Sequence, residues 1–245
     1  MGVFPLVKFH YGPKATSGWK AIDGLTVIEG SSNTTEYVTI SHVWSDGYGN
    51  EKDNKLWRCQ LELIRRLLEK VGGDTMPFWM DTLLLPVSTQ HNDDIRRKKK
   101  ALQQIHTIFD QSHRTIVLDK GLISMSIMDQ NKPCMTALMI LASGWMRRLW
   151  TLQEAHLGKE LLIAFAEQQS LGSQDFSKLR VDIRKQADST TSIMAGLIHK
   201  ELAWSIADDA NVHESSHDDE APKDMIKIAN SWRAARWRVG SRMPP

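Results

Sequence analysis

One carboxylate stands out because of the side chains spaced around it. Glu154 follows Trp150 by four residues and Arg147 by seven, in the segment RRLWTLQE at 147–154. In a helix these spacings place the three side chains on one side. A carboxylate beside an aromatic wall and an arginine can act as a general base, stabilise a cationic transition state, or form an ordinary ion pair. Spacing alone favours the ion pair and leaves the two catalytic roles open.

A second group of polar and aromatic side chains follows two β-type segments. Ser41, His42, Trp44 and Asp46 end or follow the run YVTISHV at 37–43, and Asp81 follows PFWM at 77–80. The carboxyl ends of parallel strands meet at one edge of a sheet, where ligands bind. We therefore expect the turn 44–50 and the loop 81–91 to line a ligand site. For Asp81 the favoured role is a cap within its own loop.

Several binding motifs are missing from the sequence. It contains no phosphate loop, no GxGxxG after the first strand, and no CxxC, HExxH or HxH spacing, so we expect no cofactor and no metal. The 31 basic and 29 acidic side chains leave a net charge of +2, which excludes a polyanion binder dominated by electrostatics. The basic run at 96–100 predicts a solvated helix face, and we expect no nucleic-acid partner.

The elements that would position these side chains alternate along the chain. β-branched and apolar runs predict strands at 37–43, 77–85, 115–118 and 161–166. Apolar residues at three- and four-residue steps predict helices over 57–71, 92–109 and 136–157. Trp57 is expected in the buried stripe of the first helix, and Ile95 and Leu102 in that of the second. This βαβαβαβ order indicates an α/β fold, a parallel sheet with helices on both faces.

Changes in composition predict the domain layout. We expect a lead-in over 1–35, an α/β domain over 36–169, a mostly helical extension over 170–207, an acidic linker over 208–221, and a terminal helix with a basic tail over 222–245. No closing element follows the basic tail, so we expect a longer natural protein to continue beyond it.

The cysteines and the apolar runs bear on localisation. Cys59 and Cys134 lie in apolar periodic segments and are expected to be buried free thiols in a reducing compartment. The first residues lack the layout of a signal peptide, and no apolar run approaches the roughly 20 residues of a membrane span. We expect a cytoplasmic protein without a membrane span.

Three blocks of the sequence resemble the signature blocks of the fungal heterokaryon incompatibility (HET) domain family. They are SHVWSDG at 41–47, FWMDTL at 78–83 and RRLWTLQE at 147–154, and they occur in the family's order. The helix at 99–109 and the strand at 115–119 resemble the connecting pieces, so the resemblance covers about 36–168. One departure follows the second block. Many members carry Cys, Ile, Asn and Gln where this chain has Leu84 to Val87, so any role of those polar side chains does not carry over.

The resemblance implies a role in non-self recognition, in which a mismatch between fused fungal cells triggers programmed cell death. HET domains are distantly similar to Toll/interleukin receptor (TIR) domains, which have a flavodoxin-like strand order, and some TIR domains hydrolyse NAD+. The catalytic glutamate of those domains stands on a helix four residues after a tryptophan. Trp150 and Glu154 match that spacing. The resemblance therefore makes Glu154 the candidate catalytic residue.

The same resemblance implies a substrate-binding group around Glu154. Hydroxyl, imidazole and carboxylate groups would bind ribose or phosphate, and an indole would stack on nicotinamide or adenine. The expected binding residues are Ser41, His42, Trp44, Asp46, Asp81, Arg147 and Trp150.

Two functions remain as alternatives. In the first, the chain is a cell-death effector that hydrolyses NAD+ as a substrate, with activity that depends on self-association. In the second, it is a non-enzymatic death-signalling interaction module with the same fold, whose signature blocks are core and interface residues. In both cases the allelic partner that signals non-self is left open.

Overall fold

A computed structural model of the chain describes residues 3–12, 22–31, 35–49, 53–73, 75–87, 92–125, 133–166 and 171–175, together with Asp182. These residues form a seven-stranded sheet in the order β2-β1-β4-β3-β5-β6-β7. Its strands are β1 (Val3–Tyr11), β2 (Ile22–Ser31), β3 (Val38–His42), β4 (Phe78–Trp79), β5 (Arg114–Leu118), β6 (Leu161–Ala166) and β7 (Leu171–Asp175). The helices are α1 (Arg58–Val71), α2 (Asp81–Leu84), α3 (Asn92–Gln111), α4 (Lys120–Ile123), α5 (Pro133–Ala142) and α6 (Leu149–Leu157).

The four central strands run parallel. β3 pairs in parallel with β4 on one side and with β5 on the other, and β5 pairs in parallel with β6. All five residues of β3 are buried because this strand is covered on both faces. The α/β class predicted from the sequence is confirmed. The sheet as a whole is mixed, since β1, β2 and β7 pair with antiparallel neighbours.

Helices cover both faces of the sheet. Successive residues of a strand point to opposite faces. Ile116 and Leu118 of β5 accordingly belong to the apolar cluster that contains Ile64 of α1. Val117 between them packs in the cluster that contains Ile140 of α5 and Ala155 of α6. Thus α1 covers one face, and α5 and α6 cover the other.

The segment predicted as a lead-in forms a β-hairpin that belongs to the sheet. β1 and β2 pair from Val3 opposite Ser31 onward, and Val7 of β1 pairs with Phe78 of β4. The side chains of Phe4 and Leu6 are buried in the apolar cluster beneath α3. The hairpin therefore extends the parallel strands and closes the core beside the two-residue β4.

The second predicted strand is much shorter than expected. Only Phe78 and Trp79 form β4, and the chain turns at Met80 into α2, so the strand predicted over 77–85 is wrong beyond Trp79. The amide of Asn54 holds this turn by donating from Nδ2 to the carbonyl oxygens of Thr82 at 2.9 Å and Leu85 at 2.7 Å. Tertiary hydrogen bonds thus overrule an apolar run that resembles a strand.

The single helix predicted over 136–157 is also wrong, because the chain leaves the helix after Ala142 and re-enters it at Leu149. The carboxylate of Asp119, at the end of β5, accepts the backbone N–H of Trp145 at 2.8 Å. That N–H would otherwise continue the α5 ladder. Gly144 lies directly against the same carboxylate, where a Cβ would be 3.2 Å from Oδ2.

Three side chains predicted in the core are exposed. Trp57 is 76% exposed because it precedes α1 and so stands outside the helix whose periodicity was to bury it. Ile95 and Leu102 are exposed because α3 packs on the sheet only through its later turns, around Ile108.

The prediction that both thiols are buried is wrong for Cys59. Cys59 is an exposed free thiol in the first turn of α1 and not a buried one, whereas Cys134 is half-buried in α5. Cys59 stands ahead of the buried residues of α1, which are Ile64, Arg65, Leu67 and Leu68.

The predicted C-terminal extension is described only at its beginning. Residues 171–175 form β7, an antiparallel neighbour of β6, where a mostly helical extension was expected. The rest of that extension, the acidic linker at 208–221 and the segment 222–245 lie outside the described residues, apart from Asp182. Within the described part of the chain, no helix combines the length and apolar character that crossing a bilayer requires.

Candidate functional site

Three elements bring polar side chains together at the carboxyl edge of the parallel strands. β3 ends in Ser41 and His42, α2 begins with Asp81 directly after β4, and α6 carries Glu154. β3 and β4 are parallel neighbours with Trp79 opposite Thr39, so the residues that follow these two positions lead to the same edge of the sheet. This arrangement unites groups that are 39 to 113 positions apart in sequence.

The Glu154 carboxyl group belongs to a chain of hydrogen bonds. The Ser41 hydroxyl donates to Glu154 Oε2, and the Trp145 indole N–H donates to Ser41 Oγ at 2.7 Å. Ser41 and Trp145 are buried, with exposed fractions of 1% and 0%. The Ser41 hydroxyl, which the family resemblance assigned to ribose or phosphate, is thus engaged with protein groups on both sides.

The surroundings of Glu154 favour its neutral form. Although the residue keeps some surface exposure, its carboxyl group lies among protein atoms, and this loss of hydration raises its pKa to about 8. The hydrogen bond from Ser41 opposes the rise, the negative charge of Asp81 adds to it, and His42 and Arg148 reduce it. At neutral pH the free protein therefore holds Glu154 mostly protonated.

His42 and Asp81 form a buried ion pair next to Glu154. Nε2 of His42 lies 2.5 Å from Asp81 Oδ1, and the indole N–H of Trp44 donates to Oδ2 at 2.7 Å. Burial disfavours charge on both groups, but the attraction and hydrogen bond between them outweigh it, so the pKa of His42 is raised and that of Asp81 is lowered. His42 Nδ1 is buried and has no hydrogen-bond partner within the described residues.

Asp81 also serves its own loop. Its Oδ1 accepts the backbone N–H of Thr82 at 2.6 Å. The Thr82 hydroxyl donates in turn to the carbonyl of Tyr48 at 2.5 Å, which ties α2 to the turn after β3. Asp81 is the first residue of α2 and Met80 is its N-cap, so the capping role favoured from the sequence stays a prediction. With both oxygens engaged by protein donors, Asp81 contributes a fixed negative charge to the site.

Two of the predicted binding residues, Asp46 and Arg147, stand outside this cluster, and a third, Trp150, lies one turn before Glu154 on α6. The Asp46 carboxylate accepts the backbone N–H of Lys120 at 2.8 Å, at the start of α4. Arg147 is exposed and precedes α6, so the helical spacing that was to bring it beside Glu154 does not apply. Its neighbour Arg148 is the arginine whose charge acts on Glu154. Trp150 lies in α6, but 56% of it is exposed.

Sequence reasoning missed Trp145 as a part of the site. Its contact with Ser41 spans 104 positions, and no local spacing signals it. Trp145 is not among the binding residues expected from the sequence, and the break between α5 and α6 places its indole at the end of β3.

Comparisons with known proteins give no match. No protein-family model matches the chain, and neither a curated protein nor a solved structure is detectably similar to it. Within the described residues no cluster of three or more His, Cys, Asp or Glu side chains is arranged to hold a metal ion.

Proposed function

We propose that this chain is a HET-type effector of programmed cell death that hydrolyses NAD+ at the nicotinamide–ribose bond, with Glu154 as the catalytic residue. The observation that carries the proposal is the position of the Glu154 carboxyl group. It is desolvated and held by Ser41 at the edge of the parallel strands, where α/β sheets bind ligands. The choice of NAD+ as the substrate rests on the family resemblance of the three sequence blocks.

The strand order adds support for a TIR-like, flavodoxin-like fold. Counted along the chain, the four parallel strands are β3, β4, β5 and β6, and in space they lie as β4-β3-β5-β6. The second strand thus flanks the first on one side, and the third and fourth follow on the other, as in the flavodoxin-like order. The order reverses between β3 and β5, the first and third parallel strands, and Ser41 stands at the end of β3 beside that point.

The reaction requires stabilisation of positive charge on the ribose. As the C1′–N bond breaks, its electron pair stays on the nicotinamide nitrogen, which becomes neutral, and the ribose carbon gains oxocarbenium character. A carboxylate close to that carbon stabilises this state more than the ground state. Water then adds to the carbon and gives up one proton, which an ionised Glu154 can accept, to yield ADP-ribose and nicotinamide.

The raised pKa of Glu154 links substrate charge to catalysis. A neutral carboxyl group must ionise before it can stabilise a cation. The pyridinium ring of NAD+ is cationic, so its binding nearby would lower the pKa of Glu154 from about 8 and release a proton. Because kcat/KM reports on the free enzyme, it should rise with pH and level off above about 8, the pKa of Glu154 in the free protein.

Nicotinamide release from NAD+ tests the proposal. The concentrated 245-residue chain is compared with Glu154→Gln, which keeps size and an acceptor for Ser41 but cannot ionise. Glu69→Gln is the matched control, because Glu69 is an exposed residue of α1 remote from the site. Turnover by wild type and control with loss in Glu154→Gln supports the proposal. Equal turnover by all three proteins, or no turnover by an assembled wild type, would refute the proposed function.

Exposed apolar side chains favour the interaction module as a second candidate. Met135 and Leu138 lie one turn apart on α5, and Trp150 lies on α6; all three are exposed, with fractions of 56%, 38% and 56%. A module that signals by contact alone should keep its cell-killing effect in Glu154→Gln and lose it in Met135→Ser with Leu138→Ser. Viability of fungal cells that express each variant separates the two candidates.

A further inference from the structure

A buried hydrogen-bond chain leads from the end of β5 to the Glu154 carboxyl group. Asp119 accepts the backbone N–H of Trp145, the Trp145 indole donates to Ser41, and Ser41 donates to Glu154. We propose that Trp145 is a positioning residue that fixes the Ser41 hydroxyl as a permanent donor to Glu154. Its importance for catalysis rests on the proposed function, whereas its effect on Glu154 does not.

The direction of the chain follows from the chemistry of its first member. An indole nitrogen carries a hydrogen and has no lone pair to offer, so Trp145 can only donate. Ser41 Oγ must accept that hydrogen bond, and its own hydrogen is left for Glu154 Oε2. Without the indole, the hydroxyl could rotate and accept a hydrogen bond from a protonated Glu154 instead. Trp145 therefore selects the arrangement that serves the ionised carboxylate.

The backbone of Trp145 is held in place through both its N–H and its carbonyl group. Asp119 Oδ2 accepts the Trp145 N–H at 2.8 Å, and the Thr151 hydroxyl donates to the Trp145 carbonyl at 2.5 Å. Asp119 also caps α4 by accepting the N–H of Leu122 at 3.0 Å through Oδ1. The contacts with Asp119 and Thr151 fix the backbone of Trp145, and complete burial of the residue restricts the movement of its ring. The break between α5 and α6 thus orients one hydroxyl group.

Other charged groups also act on Glu154 and must be separated from this effect. Asp81 disfavours its ionisation, and His42 and Arg148 favour it. The single N–H of the Trp145 indole is donated to Ser41 and to none of these groups, so a change confined to that indole leaves their charges in place. Removing the indole frees the Ser41 hydroxyl to turn away from Glu154, so the pKa of Glu154 should rise by up to roughly one unit, the ordinary effect of losing one hydrogen bond to a carboxylate.

The test is the titration of Glu154 by carboxyl ¹³C NMR in the absence of NAD+, with Glu154→Gln identifying the signal. We expect an upward shift in Trp145→Phe and in Ser41→Ala, and a value near wild type in Ser41→Thr, which keeps the hydroxyl. Trp79→Phe is the matched control, because Trp79 is a buried indole that packs against Phe109 outside the chain.

A double-mutant cycle decides whether Trp145 acts through Ser41. In a Ser41→Ala background, Trp145→Phe should cause no additional shift. An equal shift in both backgrounds, or no shift in either single variant, would overturn the proposal.

A second measurement covers the case in which Trp145→Phe does not fold. The indole N–H resonance of Trp145 should titrate with Glu154 in wild type and lose that dependence in Ser41→Ala, and an unresponsive resonance in wild type contradicts the chain. Because neither measurement uses NAD+, an inactive protein defeats the proposed function without affecting this result.

Discussion

Replacing Glu154 by glutamine should stabilise the folded protein at neutral pH. A glutamic acid in the unfolded chain ionises near its ordinary pKa of 4.5, whereas Glu154 in the folded protein does so at about 8. Between these values the folded protein holds a proton that the unfolded chain has released, so the free energy of unfolding falls as pH rises. The loss is roughly 1.4 kcal/mol per pH unit and reaches at most about 3 kcal/mol by pH 7. Glutamine stays neutral and avoids it.

Equilibrium urea unfolding of wild type and Glu154→Gln, at pH values from about 5 to about 8, measures this difference. We expect the advantage of the variant to be small near the ordinary pKa of glutamic acid, to grow with pH, and to level off above about 8. His42, whose raised pKa gives stability that is lost as pH rises through its folded pKa, is present in both proteins. Its contribution therefore largely cancels in the comparison.

Glu62→Gln provides a control of opposite sign. Hydrogen bonds from Arg65 lower the pKa of Glu62, so its ionised form stabilises the fold above the ordinary pKa and that stability is lost as pH falls. The control should be less stable than wild type by a nearly constant amount from about pH 5 to about 8, because the pH range in which Glu62 ionises lies below it. A Glu154→Gln variant that is no more stable than wild type at any pH would refute the reasoning. The Glu154 carboxyl group would then be ionised and hydrated at neutral pH, and the pH dependence expected for kcat/KM would lose its basis.

Three further substitutions test other parts of the structure by urea unfolding. Asp81→Asn leaves the buried His42 without its counter-charge and should lower the free energy of unfolding by about 3–5 kcal/mol. The pKa of the imidazole, measured by NMR, should fall as well. A decrease in the free energy of unfolding below about 1 kcal/mol contradicts a buried ion pair. Gly158→Ala would place a Cβ 2.7 Å from Thr115 Oγ1 and should cost about 1–3 kcal/mol; a neutral result contradicts that close approach. Gly47→Ala should cost about 1 kcal/mol because Gly47 has a φ of 93°, and unchanged stability would contradict that backbone conformation.

The central strands were predictable because their sequence signal is local. β6 is a short continuous run of apolar residues and β5 ends in one, and such runs become buried parallel strands when helical segments separate them. Where the structure departs from the prediction, a long-range contact competes with the local pattern. Asp119 captures the N–H of Trp145 from 26 positions away and ends a helix that the apolar pattern would continue.

The candidate site was predictable only as far as strand ends define an edge. That rule places Ser41, His42 and Asp81 together, and the structure brings them together. It carries no information on which face of α6 meets the edge, so it does not predict that Trp150 is mostly exposed. It also gives no sign of Trp145, whose part depends on the turn between two helices.

A fragment of this chain is expected to fold only if it includes the β1–β2 hairpin. A fragment that begins at residue 36 would leave β4, only two residues long, as a free sheet edge and would uncover the apolar surface that Phe4 and Leu6 fill. Such an edge invites strand pairing between copies, so insolubility of that fragment would say nothing about self-association in signalling. In the intact hairpin the outer strand β2 carries Asp23 and Glu29, whose like charges discourage the same pairing.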